Sequence, residues 1–171
     1  MVAMEELVDI YDVNRVFTGK TVPRAGARMA AGEFVLYVLA VVQDAQGRYL
    51  VTQRCLEKAW APGKWEVTGG GVLAGETSAQ AVVREVREEV GIDLAGQPLE
   101  PFFSYKNVDS ESGDNYIVDM YKFQLDVTKA DVVLQESEAI DCAFVTWDDI
   151  CALAEAGEFL HFERLRTALG K

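Results

Sequence analysis

The sequence predicts an α/β fold in which helices flank a mixed β-sheet. Three observations carry this expectation. Phe34 to Val42 is an almost unbroken, valine-rich apolar run, as a central strand buried on both faces requires. Ser78 to Val90 places its apolar residues at helical spacing. Strand-like and helix-like stretches then mix without strict alternation, which favours a mixed sheet over a purely parallel one.

With 171 residues, half of them hydrophobic, the chain is long enough for one domain with a sizeable core. The formal net charge of -12 and the lack of any basic patch argue against a protein that grips a nucleic acid polymer by its phosphates. A small phosphorylated partner remains compatible, because a bound cation inverts the local field. Cys55, Cys142 and Cys151 are widely spaced and odd in number, so neither a disulfide framework nor a structural zinc site is expected. The single histidine, His161, cannot build a histidine-based metal site. No apolar run has the length of a membrane span, and Glu5, Glu6 and Asp9 make the N-terminus unlike a secretory signal. These features set the expectation of a reduced, cytoplasmic compartment.

Residues 1–30 read as a lead-in and 31–171 as the main domain. Leu7 to Tyr11 is strand-like, Asp12-Val13-Asn14 can turn, and Val16 to Thr18 can pair back. This hairpin is expected to cover one edge of the domain; the alternative is a lid or the contact of a homodimer. After Phe34 to Val42, the turn Asp44 to Gly47 leads to Tyr49 to Arg54, which should pair back. Trp65 to Val67 is a short strand feeding a glycine-rich loop at Gly69, Gly70 and Gly71. Further strands are expected at Pro101 to Lys106, Tyr116 to Asp126 and Ala143 to Thr146. Thr146 caps a following helix that ends at Gly157, and a last amphipathic helix uses Phe162, Leu165 and Leu169.

The acid-rich helix carries the chemistry. Thr77 and Gln80 form a capping-box pattern and Gly91 suits the position after the last turn, so the helix spans Ser78 to Val90. At 100° per residue, Ala79, Val82, Val83, Val86 and Val90 share a core-facing arc. Glu85, Glu88 and Glu89 share a neighbouring arc at i, i+3 and i+4, so their carboxylates should converge. Arg84 can pair with Glu88. Three like charges repel unless a cation joins them, and oxygen-only ligands select a hard ion such as Mg²⁺ or Mn²⁺. Against this stands the ordinary reading of a glutamate-rich helix as a solvated face.

The full spacing weighs against that ordinary reading. Gly70, five residues, Glu76, seven residues, Arg84-Glu85-Val86, one residue, Glu88-Glu89, one residue, Gly91-Ile92 resembles the Nudix hydrolase signature at every fixed position. Pro62 to Trp65 and Phe144 to Asp148 resemble common flanks of that family. The resemblance implies an α/β/α sandwich and a metal-dependent hydrolase that cleaves a diphosphate linkage in a nucleoside diphosphate derivative by water attack at phosphorus. It implies Glu85, Glu88 and Glu89 as metal-holding residues, with Glu85 and Glu89 the first choice, and the carbonyl of Gly69 as a further donor. Arg84 would orient the acids, and Glu76 would support the loop or reach the metal through water. Glu136 and Glu138 lie where some members carry a general base. The substrate group is not encoded by the signature; Trp60, Trp65, Tyr105 and Tyr116 are aromatic residues able to stack on a base or simply to fill the core.

Two alternatives accompany this reading. Glu6 to Asp12 resembles the start of isomerase-like relatives, such as isopentenyl diphosphate isomerase. That enzyme uses a catalytic cysteine and histidine metal ligands, which Cys55 and the distant His161 do not reproduce. A non-catalytic Nudix-shaped binding or regulatory module is the other, although such modules usually lose acids that are all present here.

Overall fold

A computed structural model describes residues 5–171; the first four residues of the lead-in lie outside the described part. The strands are β1 (Leu7–Tyr11), β2 (Phe17–Pro23), β3 (Val35–Gln43), β4 (Tyr49–Arg54), β5 (Trp65–Glu66), β6 (Thr68–Gly71), β7 (Phe103–Asn107), β8 (Tyr116–Gln124) and β9 (Ala139–Val145). The helices are α1 (Ser78–Val90), α2 (Trp147–Glu155) and α3 (Phe162–Leu169). No helix among the described residues is long and apolar enough to cross a membrane.

Strand β3 is the spine of a seven-stranded mixed sheet. It pairs in parallel with β8, from Val35↔Tyr116 to Gln43↔Gln124, and β8 continues antiparallel to β7. On its other side β3 runs antiparallel to β6, with Val38 opposite Gly70 and Leu39 opposite Gly69. Three expectations are corrected here. Gly69 to Gly71 form a strand rather than a loop, because β3 supplies a ladder for them. Strand β4 meets β3 only at Gln43↔Tyr49 and finds its main partners in β9 and β5. Strand β9 also starts earlier than Ala143, since Ala139 to Cys142 extend the ladder along β4.

The alternation of β3 divides the interior. Leu36, Val38, Ala40 and Val42 face α1 and pack with Val82, Val86 and Val90, and with Tyr121 and Phe123 of β8. Val41, Val118 and Met120 face the opposite side, where Ile150 of α2 and Leu165 of α3 cover them. The result is the expected α/β/α sandwich.

Helix α1 has the predicted limits. The Thr77 side chain accepts from the Gln80 N–H, Gln80 returns the bond, and Gly91 closes the helix in the left-handed region at φ 70°. Its core face is turned slightly from expectation: Ala81 is fully buried, whereas Ala79 and Val83 are half-buried. Thr146 and Asp149 likewise cap α2 as predicted.

The lead-in forms the expected hairpin, β1 antiparallel to β2, turning through Arg15 at φ 64°. It is tied to the domain at several points. Tyr11 and Phe34 exchange backbone hydrogen bonds of 2.8 Å, and the Ala74 N–H donates to the Leu7 carbonyl at 2.8 Å. Arg15 places two guanidinium nitrogens on the buried carboxylate of Asp119 at 2.7 and 2.6 Å, and the Ser104 hydroxyl donates to the same carboxylate at 2.6 Å.

Candidate active site

The site is built where the second half of α1 faces β6. Glu85 and Glu89 are one turn apart and both turn inward, toward the glycine strand. Glu85 is only 7% exposed. A Cβ at Gly70 would stand 2.3 Å from the carboxyl carbon of Glu85, so only glycine fits opposite that carboxylate. Backbone strain is not the reason, because no left-handed φ occurs at Gly70. Gly69 is required by a different contact: its Cβ would lie 2.2 Å from the Val38 carbonyl oxygen.

Glu89 accepts a short hydrogen bond from the Thr68 hydroxyl and a 3.3 Å bond from the Gly69 N–H. Burial pushes its carboxyl up to about 7 against the pull of Thr68, and the charges of Glu85 and Glu66 push in the same direction. Burial also raises Glu85, with Arg84 and Arg24 opposing it. Glu66, on β5, is raised by burial too, although Arg54 donates to it at 2.7 Å. Glu66 escaped the sequence reading; the one signal was a carboxylate between the apolar Trp65 and Val67 in a strand.

Arg84 organises the acids. Its Nε donates to Glu76 at 2.8 Å. Nη1 donates to Glu85 at 2.7 Å and to Glu88 at 3.2 Å. Nη2 donates to the Gly71 carbonyl and to Glu76, each at 2.9 Å. All five guanidinium donors are thereby used. Glu76 also accepts from the Leu73 N–H at 3.0 Å. Burial would raise Glu76, but Arg84 and that N–H hold it below the usual carboxylate range.

Glu88 stands apart. Its side chain is 52% exposed and reaches Glu85 only through the shared Nη1 of Arg84. The three carboxylates therefore do not converge, and among the described residues no three acidic, histidine or cysteine side chains are gathered to hold an ion. The donor set still fits a hard divalent cation. It is oxygen-only, and the inward pair repels itself.

The turn before β9 folds over the end of α1 through Val133 N–H to Val90 O and Gln135 N–H to Glu89 O, at 3.0 and 3.1 Å. Glu138 pairs with Lys58 and adds negative charge near Glu66, whereas Glu136 lies exposed. Of the aromatic residues, Trp65, Tyr105 and Tyr116 pack into the α3 side of the sheet. Trp60 is 57% exposed. The Arg54 guanidinium lies 5.1 Å from its ring centre, and the His161 ring 5.9 Å away.

The model of the NUDIX domain matches residues 33–166. The chain belongs to the Nudix family. An uncharacterized Nudix hydrolase of Listeria monocytogenes is 38% identical over 93% of this chain and 90% of its own length. An isopentenyl-diphosphate delta-isomerase of Cutibacterium acnes is 32% identical over 80% of this chain and 72% of its own. A solved Deinococcus radiodurans protein shares the fold with a TM-score of 0.73 at 22% identity, covering 90% of this chain and 91% of that one. This Nudix chain is an enzyme of the hydrolase class, and the family generally uses a divalent metal such as Mg²⁺ or Mn²⁺.

Proposed function

We propose that this Nudix enzyme hydrolyses a diphosphate linkage in a nucleoside diphosphate derivative, with Mg²⁺ or Mn²⁺ held by Glu85 and Glu89. The observation that carries the reading is the inward carboxylate pair itself, with Glu85 packed against Gly70 where no side chain could stand and Glu89 held by Thr68 and the Gly69 N–H. The Gly69 carbonyl would add a further oxygen donor, and Glu88, which stands apart from the pair, would have to swing inward to join it. The bound ion supplies polarisation of the phosphoryl oxygens and a lowered pKa for the attacking water. The chain's own residues do the positioning. Arg84 fixes the direction of Glu85 and, through Glu76 and the Gly71 carbonyl, the turn between β6 and α1. Thr68 orients Glu89. Glu138, beside Glu66, is better placed than exposed Glu136 to take a proton from water.

The likeness to isomerases raises a second reading, but the residues that isomerase chemistry needs are not assembled at this site. Cys55 is buried, with its N–H bound to the Glu138 carbonyl at 2.8 Å, and His161 lies against Trp60. A panel of nucleoside diphosphate derivatives with Mg²⁺ or Mn²⁺, with products identified, tests the proposal. Glu85→Gln and Glu89→Gln should each lower turnover by roughly 10²-fold or more while the fold persists. Near-normal kcat in either variant at saturating metal would remove that residue from the ligand set.

A further inference from the structure

The lead-in precedes the 33–166 stretch that the family model matches, yet it reaches the site. Arg24 follows directly on β2 and lays its guanidinium over the end of β6. Its Cζ and Nε would lie 3.2 Å from a Cβ at Gly71, so the guanidinium rests directly on that glycine. The same guanidinium borders a cavity of about 50 Å³ with Val8, Met29, Tyr37, Gly71 and Asn115 along its walls.

The two guanidinium groups near Glu85 differ in one respect. Arg84 has no donor left, so it cannot take a ligand without breaking its own network. Arg24 uses only Nη1, on Glu6 at 2.7 Å. Its Nε and Nη2 donate to no group among the described residues, and its side chain is 37% exposed. A guanidinium with an open pair of parallel donors matches two phosphate oxygens, and its charge persists at all working pH. The Glu6 pair is an exposed surface pair and holds it weakly.

We infer that Arg24 binds the diphosphate of the substrate through Nε and Nη2, with Glu6 as a stand-in anion that yields to the incoming phosphate. This assignment rests on the diphosphate reading above. It makes the lead-in part of the binding site rather than a cover over one edge.

Calorimetric titration of the full chain with inorganic pyrophosphate in the presence of Mg²⁺ tests it. Arg24→Ala should weaken binding by about tenfold or more, the worth of a charge-assisted hydrogen-bond pair. Glu6→Gln should bind as tightly as wild type or a few-fold tighter, because it frees Arg24. An equal loss in both variants would mean that the ion pair is merely structural and would overturn the assignment, as would unchanged binding in Arg24→Ala. Should Arg24→Ala fail to fold, Arg24→Lys carries the test: it keeps the charge but loses the fork, so binding must weaken, and unchanged binding overturns the proposal. A wild-type chain that binds no pyrophosphate would instead overturn the underlying diphosphate reading.

Discussion

Gly70 and Glu85 face each other so closely that neither residue can be understood alone. Gly70→Ala places a methyl group 2.3 Å from the Glu85 carboxyl carbon, so the carboxylate must leave its position. Because the backbone at Gly70 is not left-handed, the chain itself accepts alanine. The expected outcome is a loss of roughly 10²-fold in metal-dependent turnover with little change in melting temperature, read by kinetics and calorimetry side by side. Glu89 makes a second prediction. Its carboxyl is raised from the ordinary 4.5 to about 7, so between these values the folded chain holds more protons than the unfolded one. The stability present below pH 4.5 is therefore lost as pH rises through 7, by roughly 3 kcal/mol in the absence of metal. Glu89→Gln should flatten this slope in urea melts performed in chelator at pH 5 and pH 8. A slope that survives the substitution would place the titration elsewhere.

Among the ties that hold the hairpin, one runs to a buried carboxylate. Asp119 is 1% exposed and sits on β8 among apolar residues. Burial alone would raise its carboxyl, but Arg15 and Ser104 hold it below the usual range. The sign follows: this stabilisation is complete above the ordinary value of 3.8 and disappears as pH falls through the lower folded value. Arg15→Ala leaves the carboxylate buried without its cation and should cost about 2–3 kcal/mol, less than a fully buried pair because Arg15 is partly exposed. Amide hydrogen exchange should show residues 7–23 opening first; uniform protection loss across the sheet would contradict this. The Arg15–Asp119 tie spans 104 residues and could not be read from sequence, where Asp119 is one polar residue in a strand. Helix α1 was legible to its caps because the capping box, the apolar spacing and Gly91 are all local. The glycine strand was misread as a loop because its partner, β3, lies about thirty residues upstream. The trio of glutamates was legible as an arc, but which of them turn inward is set by partners distant in sequence: Thr68 and the Gly69 N–H hold Glu89, and Gly70 admits Glu85.

The two cores meet along β3, and the inward carboxylates of Glu85 and Glu89 sit where α1 meets β6, close to Thr68 on β6 and within the field of Glu66 on β5. With a net charge of -12, the whole molecule repels itself, and this cluster concentrates that repulsion in a place with little water to screen it. A divalent cation bound there should act on the entire fold, since it links α1 to the sheet and relieves the repulsion between Glu85 and Glu89. At a hundredfold excess of Mg²⁺ over its Kd, linkage gives about 2.7 kcal/mol. For a chain of this size that corresponds to a rise in Tm of roughly 5–10 °C. The rise should be larger at pH 8 than at pH 5.5, because a Glu89 proton competes with the ion. NaCl at matched ionic strength should give little of it, since screening acts on exposed charges and this pair is buried. Thermal melts of wild type and Glu85→Gln, with MgCl₂ and with NaCl, check the account. An equal rise with both salts, or a full rise in Glu85→Gln, would show that the ion stabilises the general surface rather than the junction of α1 with the glycine strand.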